Sequence, residues 1–94
     1  MPQEEPDWSV LRRRAIGERI RTVRRHRKMT QEQVAHAIGA DRRSVVRWER
    51  GQRDPALSML VQIADVLDVP LALLVDDTLE IDLTVATRDS RPAS

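Results

Sequence analysis

Arginine is the residue type with the most chemistry to offer in this sequence. Of sixteen basic residues, only Lys28 is a lysine. The planar arginine fork suits bidentate bonds to phosphate and to guanine. Fourteen of the sixteen lie within residues 11–53, against four acids, a net charge of +10. Residues 54–94 carry −6 and residues 1–10 carry −3, so the 94-residue chain totals only +1. Charge divided in this way suggests a face for a polyanion and an acidic remainder. Solvated surface charge would give the same count, and a GC-rich genome would also favour arginine over lysine.

Other chemistries find little support. The chain has no cysteine, which excludes disulfides, thiolate zinc sites and cysteine nucleophiles. His26 and His36 stand ten apart, not at a metal-ligand spacing, so no metal and no cofactor are expected. Three scattered glycines make no phosphate-cradling loop. No Ser-His-Asp arrangement is evident, and an enzyme is not expected. With Trp8 and Trp48 as the only aromatics, neither a β-sandwich nor a base-stacking platform is indicated. No apolar run reaches the ~18 residues of a membrane span. The acidic, proline-containing start is unlike a secretory signal. A cytoplasmic chain is therefore expected.

The elements that must position the arginines can be read from periodicity. Residues 1–9 read as a flexible arm. Ile16, Ile20 and Val23 share one face of a first helix over about 10–27, capped by Asp7 or Ser9. Thr30 and Gln33 form a capping box for a second helix over 31–38, and Gly39 suits its end. Asp41 caps a third helix over 42–49, with Gly51 as its stop. Asp54-Pro55 opens a fourth helix over 56–67, carrying Leu57, Leu60, Ile63, Ala64 and Leu67. Residues 71–75 form a short fifth helix or a single turn. The expected fold is all-α, with a five-helix domain over 10–75.

Two short helices joined by Gly39-Ala40-Asp41 match helix-turn-helix geometry. The third helix places Val45 and Trp48 on one side and Arg42, Arg43, Val46, Arg47 and Arg50 on the other. A helix entering the major groove needs this arrangement, with one side buried and long side chains exposed. An ordinary amphipathic surface helix would show the same periodicity.

Four runs carry a family resemblance: I-G-E-R-I-R-T-V-R at 16–24, T-Q-E-Q-V-A-H-A-I-G at 30–39, S-V-V-R-W-E-R-G at 44–51 and P-A-L-S-M-L-V-Q-I-A-D-V-L-D-V-P at 55–70. Together they resemble the phage repressor and Cro type of helix-turn-helix protein, the Xre family, over about residues 11–75. The resemblance implies a repressor-like domain that binds double-stranded DNA. It places Arg42, Arg43 and Arg47 at base-contacting positions, with Val46 set to touch a thymine methyl. It makes Gln31, at a helix N-terminus, a phosphate ligand that also buttresses the third helix. Ser44, Arg50, Gln52 and Arg53 are further phosphate contacts, and Arg12 and Arg13, with Arg14, are candidates for more. Glu49 pairs with Arg24 in a structural role. Lys28 stands where the family often has Gly, and Asp68 where Gly or Asn is frequent. Lysine in the left-handed region is costly, so the turn at Lys28 is expected to be adjusted, whereas Asp68 tolerates that region. Asp41 places a negative charge near the DNA face, explained by its capping role or by a bond to a cytosine amino group.

Residues 76–94 are the unusual part. Leu79, Ile81, Leu83 and Val85 alternate with polar residues, a strand pattern over 78–86, and residues 87–94 read as a disordered end. One strand cannot satisfy its own backbone. The expectation is a β ribbon formed with a second copy, making a homodimer. Packing within the monomer and a disordered acidic tail are the other possibilities. The expected function is that of a dimeric transcriptional regulator. The alternatives are the antitoxin of a toxin–antitoxin pair that holds its toxin through the tail, and a protein-interaction adaptor.

Overall fold

In a computed structural model, residues 7–83 can be described. The arm before Asp7, Val85 and the end over 87–94 lie outside them. Five helices follow in order: α1 (Trp8–His26), α2 (Gln31–Ile38), α3 (Arg42–Glu49), α4 (Leu57–Leu67) and α5 (Leu71–Val75). α1 starts two residues before its expected position. The Asp7 carboxylate accepts the Ser9 N–H at 3.0 Å, so Trp8 and Ser9 are helical rather than part of an arm. α4 starts one residue late: Ala56 is its N-cap and Pro55 precedes it.

Chemistry at the helix ends sets the lengths of α2 and α3. Thr30 Oγ1 accepts the Gln33 N–H at 3.0 Å, and Gln33 Oε1 accepts the Thr30 N–H at 2.8 Å. Gly39 then takes φ 72° and ψ 26°, a left-handed turn that costs glycine little. The Ala40 N–H reaches back to the Ala35 carbonyl at 2.9 Å, closing the α2 end. Asp41 caps α3 through the Ser44 N–H at 2.8 Å. Asp68 adopts φ 58°, and Lys28 adopts φ 61°, so the turn at Lys28 keeps the left-handed geometry instead of being adjusted.

The apolar stripes meet in one core. Ile20 and Val23 of α1, Val34 and Ile38 of α2, Val45 of α3, and Ile63 and Leu67 of α4 are all nearly inaccessible. Val69 and Leu74 close the base. α3 packs on both α1 and α2, while α5 packs on α1 and α4. Truncating a fully buried side chain such as Leu67 to Ala would cost about 2–5 kcal/mol.

The strand expected over 78–86 does not form among the described residues, none of which is in a β-strand. With no second strand to take its backbone hydrogen bonds, the chain turns instead. Asp76 Oδ1 accepts the Thr78 N–H at 3.0 Å and the Thr78 hydroxyl at 2.6 Å. The Arg19 guanidinium donates to the carbonyls of Leu73 in α5 (2.6 Å) and Leu79 (2.7 Å), and the second of these is a group a ladder would have used. The alternating face does not lie on one surface. Leu79 is 40% exposed, Ile81 is half-buried and Leu83 enters this chain's own core. The apolar pattern thus serves packing within the monomer as far as residue 83.

Candidate nucleic-acid interface

α3 carries the candidate surface. Its inner side is pinned by Val45, fully buried, and by Trp48, half-buried against the core. Arg42 and Arg43 in its first turn are exposed, and Val46 and Arg47 are half-buried at the surface. Among the described residues, the side chains of Arg42, Arg43 and Arg47 make no hydrogen bond or ion pair. Asp41 sits beside them. The Ser44 backbone N–H holds its carboxyl below the usual aspartate range, and Arg43 and Arg47 add to the effect.

Behind α3 lies a buried ionic knot. Arg24 Nε donates to Glu49 Oε2 at 2.6 Å and Arg24 Nη2 donates to Glu49 Oε1 at 3.0 Å. The third edge of the guanidinium donates to the Met29 carbonyl at 2.8 Å, bracing the turn before α2. Gln31 Nε2 donates to the same Glu49 Oε1 at 3.1 Å. One carboxylate on α3 therefore fastens α1 and the first residue of α2. No buried side-chain polar atom among the described residues lacks a partner.

The remaining expected contacts divide into two groups. Ser44 is half-buried in the first turn of α3, and Arg50, Gln52 and Arg53 are exposed just after it. Arg12 and Arg13 instead meet partners in this chain. Arg12 donates to both Asp77 carboxylate oxygens, at 3.1 and 3.2 Å, and lies 5.1 Å over the Trp8 ring. Arg13 donates to the Gly51 carbonyl at 3.0 Å and stands 3.7 Å from Asp54. Two arginines that the sequence did not single out also act within the fold. Arg19 holds the tail, as above, and Arg27 donates to the carbonyls of Leu67 (2.8 Å) and Asp68 (3.2 Å) at the end of α4. A cation at a helix C-terminus is a favourable pairing, and the spacing of Arg27 gave no sign of it. Among the described residues no group of His, Asp or Glu is placed to hold a metal. No helix there is long and apolar enough to cross a membrane.

Exposed α3 arginines backed by a buried pair that ties α1, α2 and α3 together define a helix-turn-helix unit. Residues 20–74 match the helix-turn-helix family HTH_3, and the chain belongs to that family. It is 35% identical over 63 residues to the cryptic phage CTXphi transcriptional repressor RstR of Vibrio cholerae. That match takes in 67% of this chain and 57% of RstR. The fold is similar to that of the restriction-modification controller protein C.AhdI from Aeromonas hydrophila, with a TM-score of 0.63 and 34% identity, over 65% of this chain and 92% of that one. It is also similar to the P22 c2 repressor protein solved with a synthetic operator, with a TM-score of 0.62 and 26% identity, over 66% and 94% of the two chains. The resemblance to phage repressors read from the four sequence runs is the family the chain belongs to. The chain spans about half the length of the curated relatives it matches.

Proposed function

We propose that the chain is a cytoplasmic transcriptional regulator, not an enzyme, that reads double-stranded DNA as a homodimer. The observation that carries this reading is the outer face of α3, where Arg42, Arg43 and Arg47 stand beside Val46 with no hydrogen bond or ion pair among the described residues. In the major groove each arginine can donate two bonds to guanine O6 and N7, worth about 1–3 kcal/mol of discrimination apiece. Gln31, Ser44, Arg50, Gln52 and Arg53 are assigned to the phosphates, which set register and carry most of the salt-sensitive affinity. For Arg12 and Arg13 to join them, each would have to exchange its present partner, Asp77 or Asp54, for phosphate. The Arg12–Asp77 pair is half-exposed, and such pairs are weak enough to exchange.

Two copies would set their α3 helices about 34 Å apart, one turn of the duplex. Selection of bound sequences from a random duplex pool tests the reading. The expected result is a guanine-containing half-site that recurs with two-fold symmetry. Recovery of no preferred sequence would overturn specific readout, and an asymmetric single site would overturn the homodimer. The antitoxin reading gains nothing from the tail, whose described part is packed on this chain's own core.

A further inference from the structure

We infer that Arg21 and Arg25 of α1, with Arg50, form a second anion cradle that grips a phosphate of the DNA backbone. The inference rests on the reading above and extends the contact surface from α3 to α1. α1 carries its arginines in two states. Arg12, Arg13, Arg19 and Arg24 are each bonded to a carbonyl or a carboxylate of this chain. Among the described residues, Arg21, Arg25 and Arg50 have no such partner. Those three surround one recess of about 280 Å³, completed by Arg24, Gln31 and Glu49. Four guanidiniums and one carboxylate line it, a surplus of three positive charges.

The single carboxylate does not oppose an incoming anion. Both Glu49 oxygens already accept from Arg24, and Oε1 also accepts from Gln31. Arg24, bonded through all three of its nitrogens, acts as a fixed wall, while Arg21, Arg25 and Arg50 spend no N–H group on a hydrogen bond among the described residues. A recess rich in donors, lacking free acceptors and open on one side fits phosphate oxygens. The duplex backbone is the favoured source because the recess does not stand alone. Arg24 and Gln31 also line a neighbouring hollow that contains Thr30, Glu32 and Arg42. The recess therefore adjoins the first turn of α3 past the N-terminus of α2, with Glu32 as the one acid in the adjoining hollow. The signal in the sequence is positional: Arg21 lies one turn before Arg24, on its face of the helix.

The test uses the full chain and the single variants Arg21→Gln, Arg25→Gln and Lys28→Gln. Each removes one exposed charge, but Lys28 lies outside the recess. Affinity for a selected duplex and a random duplex is measured across a salt series, with melting curves to confirm folding. Arg21→Gln and Arg25→Gln should each weaken both duplexes about equally, by up to about tenfold, and reduce the log–log salt slope by about 0.9. Lys28→Gln should leave the slope unchanged. Equal effects from all three variants, or none from the first two, would overturn the cradle while leaving the α3 reading intact. A wild-type chain that binds no duplex would overturn both. In a second arm, the Nε–H resonances of Arg21 and Arg25 are followed by NMR. They should shift on duplex addition, and a shift with inorganic phosphate but none with duplex would overturn the backbone assignment.

Discussion

Gly17 of α1 lies so close to Trp48 of α3 that the Trp48 carbonyl oxygen occupies the space a Cβ would need. The Glu49 carbonyl crowds the same point, 2.7 Å from where that Cβ would sit. The obstacles are backbone atoms of a helix packed against the core, so they cannot swing aside. Gly17→Ala should therefore push α3 away from α1 and destabilise the domain by about 1–3 kcal/mol. Urea denaturation would measure this, and an unchanged midpoint would show that the two helices part more easily than their packing indicates.

Removing one partner of the Arg24–Glu49 pair should cost far more than removing both. Their side chains are only 10% and 3% exposed, so Glu49→Ala leaves a desolvated cation without its carboxylate. The expected loss is about 3–5 kcal/mol. The double variant Arg24→Met, Glu49→Leu should recover much of it, because it strands no charge. Denaturation of the two proteins side by side checks the difference in sign. Gln31 loses its acceptor in both, so DNA affinity should fall in both even where stability is regained.

Arg47 and Arg53 should differ in kind. Arg47→Ala is expected to cost about 1–3 kcal/mol on a preferred site and to relax the choice at one base pair. Arg53→Ala should weaken all duplexes alike and lower the salt slope by about one. Competition assays with single-base variants of the site separate the two patterns. Equal losses for Arg47→Ala on preferred and random duplex would remove it from base readout.

Asp41 predicts a pH dependence. The Ser44 N–H lowers its pKa in the folded state. A carboxylate of this kind stabilises the fold above its unfolded value of about 3.9. That contribution is lost as the pH falls from there through the depressed folded value. Asp7 and Asp76 are lowered in the same way, by bonds from Ser9 and Thr78, and add in the same direction. Asp41→Asn keeps a cap but has no proton to take up, so its melting temperature should fall less steeply below about pH 4 than that of the wild type. Identical acid profiles would show that the cap contributes nothing to the titration.

Lys28 and Asp68 show how far the sequence could be read. Asp68 was expected to tolerate the left-handed region and is found there, whereas the turn at Lys28 was expected to be adjusted and instead keeps the left-handed φ that the family's glycine would take. α2 and α3 were legible to the residue because Thr30, Gln33, Gly39 and Asp41 act locally: a cap depends on neighbours three or four positions away. The tail was not legible. Alternation at 79–83 marks a half-buried segment but does not say what buries it, and the Leu79 carbonyl, which a strand would pair, is taken by Arg19, sixty residues away. The arginines of α1 failed for the same reason. A guanidinium bonded to a distant carbonyl and one left for a ligand have the same spacing in a sequence. Only the fold shows that Arg12, Arg13, Arg19 and Arg27 are engaged and that Arg21 and Arg25 are not.

The left-handed turn at Gly51, φ 72°, halts α3 after eight residues. Eight residues rise about 12 Å, the height of three or four stacked base pairs. A word of that length recurs throughout any genome, among about a million or more competing sites. One reading head of this size can recognise a syllable but cannot specify an address. In the proposed homodimer the distance and orientation between two such heads would supply what one lacks, and the subunit contact would become part of the code.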